Sequence, residues 1–320
     1  MNLIDTVGNT PLLKFDFPKG TLWGKAEFLN PGGSIKDRPV AWILKVAMHN
    51  GKLKQGDTII EATSGNMGIS LAMFCANLGF KCIIVMPSNM STERKTMLKS
   101  FGAELIEVPA GDFDGAILLR NKLAKKHGFF NLNQFHNEQN IESHWYTTGM
   151  EICKDFDFNV PIDAFVAGTG TGGTMMGAGK FIKNQHPSCK LVALEPAESP
   201  VMSGGEPGLH GIQGIGDGSK FLVDLKDVDR IEIVSTEESI EKSKSLAKQY
   251  GLFVGPDRKF SNDSLRKLMP LAMQRPDFPF FIEKVVGEQA EKSKLQQKYL
   301  NMINKGLYVT YFDATKDFEE

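Results

Sequence analysis

Short apolar runs alternating with helical patterns constrain this chain more than any other feature. Residues 58–62, Thr-Ile-Ile-Glu-Ala, read as a buried strand. Residues 68–78 carry a helical pattern that stops at Gly79. A second apolar run, 82–86, ends at Pro87; a helix is expected over 91–101 and a strand over 105–108. Further strands are expected at 164–167, 191–194 and 231–234, with helical patterns between them. Regular strand–helix alternation of this kind implies an α/β fold with mostly parallel sheets. Glycine and proline are dense over 199–218, as in a long functional loop. From about Lys284 the chain is rich in Lys, Glu and Gln and reads as a solvated helix and tail.

Charge and cysteine usage narrow the function classes. The 320 residues hold 37 Lys and Arg against 38 Asp and Glu, a net charge of −1. Nucleic-acid and membrane-surface binders usually need a basic excess, so neither is expected. No apolar run is long enough to cross a bilayer. The start, Met-Asn-Leu-Ile-Asp, has no basic stretch before an apolar one, so no secretory signal and a cytoplasmic location are expected. Cysteines stand at 75, 82, 153 and 189 without a C-x-x-C pair, which argues against a metal or dithiol site.

Gly168-Thr169-Gly170-Thr171-Gly172-Gly173-Thr174 follows directly on the apolar run 164–167, with a helix expected from Met175 to Asn184. Glycines let a backbone approach an anion, and successive N–H groups at a helix start cradle a phosphate. The loop also spells G-x-G-x-x-G, and Glu195 ends the next strand where a dinucleotide fold keeps its ribose acid. Alone, this stretch points to NAD; the rest of the chain must arbitrate.

Asn30-Pro31-Gly32-Gly33-Ser34-Ile35-Lys36-Asp37-Arg38 places a lysine after a tight turn, with Ser34 as a candidate helix cap. An ammonium group at a helix N-terminus meets the unfavourable end of the dipole. That suits an amine that must act as nucleophile or base.

These motifs together resemble the cysteine synthase and cystathionine β-synthase family of pyridoxal-phosphate enzymes. The lysine motif resembles the family's cofactor-lysine sequence, and Gly8-Asn9-Thr10-Pro11-Leu12 resembles its opening. Thr63-Ser64-Gly65-Asn66-Met67-Gly68 is similar to its substrate-carboxylate loop, and Asn133-Gln134-Phe135 to a further substrate contact. Gly170-Thr171-Gly172-Gly173-Thr174 resembles the cofactor phosphate loop; Glu195-Pro196, Ser199-Pro200 and the run 211–216 continue the likeness, which spans about 5–255. Several ordered motifs outweigh one G-x-G-x-x-G, and the dehydrogenase reading gives way.

The resemblance implies two three-layer α/β domains of the fold type II class. A large cofactor-binding domain would combine 1–36 with 146–320, and a small mobile domain would span 37–145. It implies pyridoxal 5'-phosphate as cofactor, a small amino acid and sulfide as substrates, a homodimer, and a serine acetyltransferase tail as a further partner. Lys36 would hold the cofactor aldehyde and shuttle the Cα proton; Asn66 would bond the ring oxygen; residues 170–174 would bind the phosphate. Thr63, Ser64, Gly65, Met67 and Gln134 would surround the substrate carboxylate.

Three departures qualify the likeness. Met67 stands where threonine is common. Asp217, in Gly214-Ile215-Gly216-Asp217-Gly218, puts a carboxylate where a small or apolar residue is usual. The family's Gly-Ile-Ser-Ser-Gly-Ala segment is missing after Gly255, so the serine facing the pyridine nitrogen cannot be carried over; Asp257, Ser261 or a displaced strand would have to take its place. Cysteine synthesis from an activated serine is the leading expectation. The alternatives are sulfide release from cysteine, with water or another thiol as second nucleophile (giving serine or a thioether) and Asp217 as general base for water, and a non-catalytic relative that binds a partner's tail.

Overall fold

The computed structural model describes residues 2–17, 20–63, 65–156, 160–212, 214–252 and 280–283. Ser64, Gln213, Asp257, Ser261 and the chain end from 284 lie outside the described residues.

Two sheets organise the chain. A four-stranded sheet has the order β5-β4-β3-β6, built from β3 (Thr58–Ala62), β4 (Lys81–Pro87), β5 (Glu104–Val108) and β6 (Phe130–Asn131). All its pairings are parallel. Crossovers run through α2 (Asn66–Leu78), α3 (Thr92–Ser100) and α4 (Phe113–His127). The two-residue period of a strand explains the layers. Ile59, Cys82, Ile84 and Met86 pack with α2 residues such as Leu71, Phe74 and Cys75. Their neighbours Ile60, Ala62, Ile83 and Val85 pack on the other face with Ala116 and Ala124 of α4.

A six-stranded sheet has the order β1-β2-β10-β7-β8-β9. Its strands are β1 (Leu12–Phe17), β2 (Gly20–Lys25), β7 (Ile162–Gly168), β8 (Lys190–Pro196), β9 (Arg230–Val234) and β10 (Phe280–Glu283). β7, β8 and β9 are parallel. β1 and β2 are antiparallel, because a two-residue link permits no crossover. β10 runs antiparallel to both β2 and β7. One face of this sheet buries Phe165, Ala167, Leu191 and Ala193 against Ile152, Met175, Ala178 and Ile182.

Two helix expectations need correction. The second helix begins at Asn66 and not at Gly68, because Gly65 takes the cap position. The stretch after the glycine loop is a π-helical turn, Met175–Gly179, before α7 (Lys180–Gln185). A second π turn, His144–Gly149, lies between α5 (Gln139–Ser143) and α6 (Met150–Asp155). The two turns pack closely because Gly177 has no side chain: a Cβ there would strike Ile141 O, and His144 Cβ at 2.6 Å. π turns inside helices often mark functional sites.

The topology also places the chemistry. From β3 the chain winds outward through β4 to β5, then returns to β6 on the far side of β3. From β7 it winds outward through β8 to β9, and β10 joins on the other side. In open α/β sheets such reversals leave a crevice at the carboxyl ends of the strands, where ligands bind. Thr63 follows β3, Leu132 to Gln134 follow β6, and Thr169 to Thr174 follow β7.

Candidate active site

Lys36 caps α1 (Asp37–His49), with φ −66° and ψ −16°. Its backbone N–H donates to Ser34 Oγ at 3.2 Å, so the serine caps the turn that leads into the helix. The two residues after Lys36 anchor it in opposite directions. Asp37 accepts hydrogen bonds from the Gly32 N–H and the Ser70 hydroxyl, which ties the Pro-Gly-Gly turn to α2. Arg38 is buried and donates to both carboxylate oxygens of Glu27, at 2.6 and 2.7 Å, and to both of Glu151, at 2.7 Å. Burial would raise the Glu151 carboxyl, but Arg38 and Lys25 overrule it and hold it at about 2.

The glycine loop is buried throughout, from Thr169 to Thr174. Gly172 has φ +89°, and a Cβ on it would lie 2.7 Å from Val223 Cγ2. A Cβ on Gly173 would overlap the Asn140 amide oxygen. Only glycine fits at both places. Asn140 Nδ2 donates to Thr171 Oγ1 at 3.0 Å and to Gln134 O at 3.0 Å.

His144 links this loop to the lysine. Its Nε2 lies 3.5 Å from Thr174 Oγ1, and its Nδ1 is hydrogen-bonded to Thr148 Oγ1 at 2.9 Å. Burial first, then the positive charges of Lys36 and Arg38, hold the imidazole far below the usual histidine range. The charge of Lys36 is thus felt at a histidine that lies against the loop.

Thr63 and Gly65 stand at the mouth of α2. Gly65 takes the cap position at φ −130° and brings no side chain to cap the first N–H groups of the helix. An anion is favoured there. Thr63 is buried and accepts from the Gly65 N–H at 3.3 Å. Asn66 is half-buried at the first position of the helix. The Met67 side chain lies in the core beside α2, so only its backbone faces the loop. Gln134 is buried, and its Nε2 donates to Ala62 O at 3.3 Å, just before Thr63.

Asp217 is solvent-exposed, and its Oδ2 lies 3.0 Å from where a Cβ on Gly170 would stand. Its loop is tied to the glycine loop by the Gly216 N–H to Thr169 O bond, 3.0 Å, and the Leu222 N–H to Thr171 O bond, 3.1 Å. Glu195, the ribose acid of the dinucleotide reading, is committed elsewhere. It is buried and accepts from the Met202 and Ser203 N–H groups at 2.8 and 2.9 Å. A carboxylate so occupied is not available to a ribose.

A buried cradle of N–H groups and hydroxyls, together with a lysine at a helix start, fits a phosphate-bearing aldehyde. Comparison with known proteins agrees: residues 3–257 match the family described as pyridoxal-phosphate dependent enzyme. The chain belongs to the pyridoxal-phosphate-dependent enzymes. It is 43% identical to a cysteine synthase of Staphylococcus aureus over 262 residues, 79% of this chain and 84% of that protein. It is similar to the crystal structure of a hydrogen sulfide-producing enzyme from Fusobacterium nucleatum, with TM-score 0.78 and 34% identity over 90% of this chain and 98% of that one. An O-ureido-L-serine synthase is similar at TM-score 0.76 and 35% identity over 80% of this chain and 82% of that one.

For this pyridoxal-phosphate enzyme, several residues around the site escaped the sequence reading: Asn140, His144, Glu61 and Arg120. Asn140 and His144 sit in a stretch without motif character. Glu61 carried a signal, since a carboxylate inside an apolar strand demands a buried partner. All four cysteines are buried. Among the described residues no helix is long and apolar enough to cross a membrane, and no group of three His, Cys, Asp or Glu could hold a metal.

Proposed function

We propose that the chain is a β-replacement enzyme that makes cysteine from O-acetylserine and sulfide. The carrying observation is the glycine loop, buried from Thr169 to Thr174 and bonded to His144, taken with Lys36 at the start of α1 and the capless start of α2. The likeness to cysteine synthases supports the substrate choice.

Pyridoxal phosphate, when bound, supplies a ring that draws electrons from Cα, so that a group on Cβ can leave. Lys36 would hold the aldehyde carbon and, once displaced by the substrate amine, take and return the Cα proton at Nζ. The N–H groups of residues 170–174 would bind the phosphate, with Thr171 and Thr174 oriented by Asn140 and His144. Asn66 would bond the ring oxygen. Thr63, Ser64, Gly65, Met67 and Gln134 would hold the substrate carboxylate, Met67 through its backbone.

Asp217 supports a second reading, sulfide release from cysteine. A carboxylate beside Gly170 could take a proton from water, so that the oxygen adds at Cβ and the product is serine. The similarity to a hydrogen sulfide-producing enzyme fits this direction. A small domain over 37–145, a large domain from 1–36 and 146–320, a homodimer, a serine acetyltransferase tail as partner and a cytoplasmic location complete the proposal. The largely separate cores of the two sheets support the division, although Ile4 packs in the core of the smaller sheet and Ile141 and Trp145 pack against that of the larger.

Steady-state assays with O-acetylserine plus sulfide, and with cysteine alone, test the assignment. Cysteine formation should be the faster reaction. Faster sulfide release would transfer the assignment to the second reading, and inactivity in both would reject the proposal.

A further inference from the structure

Glu61 and Arg120 form a buried ion pair outside the motifs. Glu61 is 0% exposed and Arg120 1% exposed. Arg120 Nη1 donates to Glu61 Oε1 at 2.5 Å. Glu61 also accepts from the Ala62 N–H at 2.7 Å and, through Oε2, from the Gln134 N–H at 2.9 Å. Arg120 Nη2 donates to Asn133 Oδ1 at 3.1 Å. Asn133 has φ +55°, a left-handed conformation that Asn tolerates better than most residues. The pair therefore grips both residues of the Asn133-Gln134 step. One carboxylate also fixes Ala62, the residue before Thr63.

We infer that Glu61 and Arg120 are positioning residues, which lock Gln134 to the Thr63 loop so that both chain segments meet the substrate carboxylate as one rigid site. The inference rests on the carboxylate-site reading given above. The physical reason lies in the topology. β3 and β6 are neighbours, but their pairing covers only Ile59 with Phe130 and Ile60 with Asn131. The ladder ends before Gln134, and beyond it only Leu132 N–H to Ile60 O, at 3.3 Å, continues the backbone pairing. The Gln134 backbone is then held by the Glu61 carboxylate. Donors aimed at an anion act best when already in place, since they then need no reorganisation on binding. The pair is a poor candidate for stability alone, because two buried charges seldom outperform apolar residues of similar volume.

Equilibrium titration of the holoenzyme with L-alanine and with L-alaninamide, followed through cofactor absorbance, tests this. The wild type should prefer the acid. In the double variant Glu61→Met with Arg120→Met no charge is left unpaired, but the Ala62 and Gln134 N–H groups lose their acceptor, so melting should fall by about a few degrees while the fold is kept. Acid affinity should fall about tenfold or more, with amide affinity unchanged. KM for the amino acid should rise with kcat nearly constant, and Arg120→Lys should restore part of the loss. A double variant that keeps the wild-type preference overturns the inference and leaves the carboxylate site standing. No preference in the wild type overturns both. Should the double variant fail to fold, Arg120→Lys decides: a severalfold loss of acid affinity at unchanged melting supports the inference, and unchanged affinity overturns it.

Discussion

Asn140 donates to the Thr171 hydroxyl at 3.0 Å and, with the same Nδ2, to the Gln134 carbonyl. One buried amide thus joins the glycine loop after β7 of one sheet to the segment after β6 of the other. Leaving a buried polar partner unsatisfied costs about 1–3 kcal/mol. Asn140→Ala should therefore weaken pyridoxal-phosphate binding by about tenfold or more, measured by titrating the apoenzyme and following visible absorbance.

Gly172 tests the loop more sharply. At φ +89° and with Val223 Cγ2 2.7 Å from an added Cβ, even alanine must displace the backbone. Such a position costs of order 1–3 kcal/mol for a non-glycine residue. Gly172→Ala should lower cofactor occupancy markedly, and a bulkier residue should abolish it. Full occupancy in purified protein would contradict the phosphate assignment.

Lys36 should carry the cofactor covalently. Borohydride reduction followed by peptide mapping should place a pyridoxyl group on Lys36, and Lys36→Ala should lose turnover while retaining some bound cofactor through the phosphate loop. A label on another lysine would reject the role.

Asp217 separates the two directions of chemistry. Removing one acid–base catalyst typically costs about a hundredfold or more. Asp217→Asn should lower sulfide release from cysteine by that factor and leave cysteine formation from O-acetylserine nearly intact. Equal sulfide release in variant and wild type would make Asp217 a turn residue beside Gly170.

Acid stability should follow Glu151. Its carboxyl is held at about 2 against an ordinary value of 4.5, despite burial, by Arg38 and Lys25. A depressed carboxylate contributes stability above the ordinary value and loses it as pH falls toward the folded value. About 3 kcal/mol should disappear between pH 4.5 and 2. His144 adds to the same trend from a higher pH: its folded value is depressed, so the unfolded chain gains a proton as pH falls through 6.5. Denaturant unfolding from pH 7 to 3 should show falling stability. Glu151→Gln should be less stable at pH 7 and should lose less on acidification.

Local pattern was enough to read the α/β class, the strands β3, β4, β5, β7, β8 and β9 and the glycine loop at a strand end from this sequence, but not the two-residue β6. Apolar period, Pro87 and Gly79 act within a few residues, and a glycine run at a strand end has few other uses. Lys36 was legible because its turn and its helix start are contiguous. Tertiary structure alone decided what those pieces face. Nothing in the chain order announces that Asn140 spans Thr171 and Gln134, that His144 lies against Thr174, or that Glu61 answers Arg120. The same holds for Glu195, whose spacing suits a ribose acid until its N–H partners at 202 and 203 are seen. These residues meet across 6 to 59 positions of sequence, and only packing of the elements brings buried polar groups within reach of the partners that burial demands.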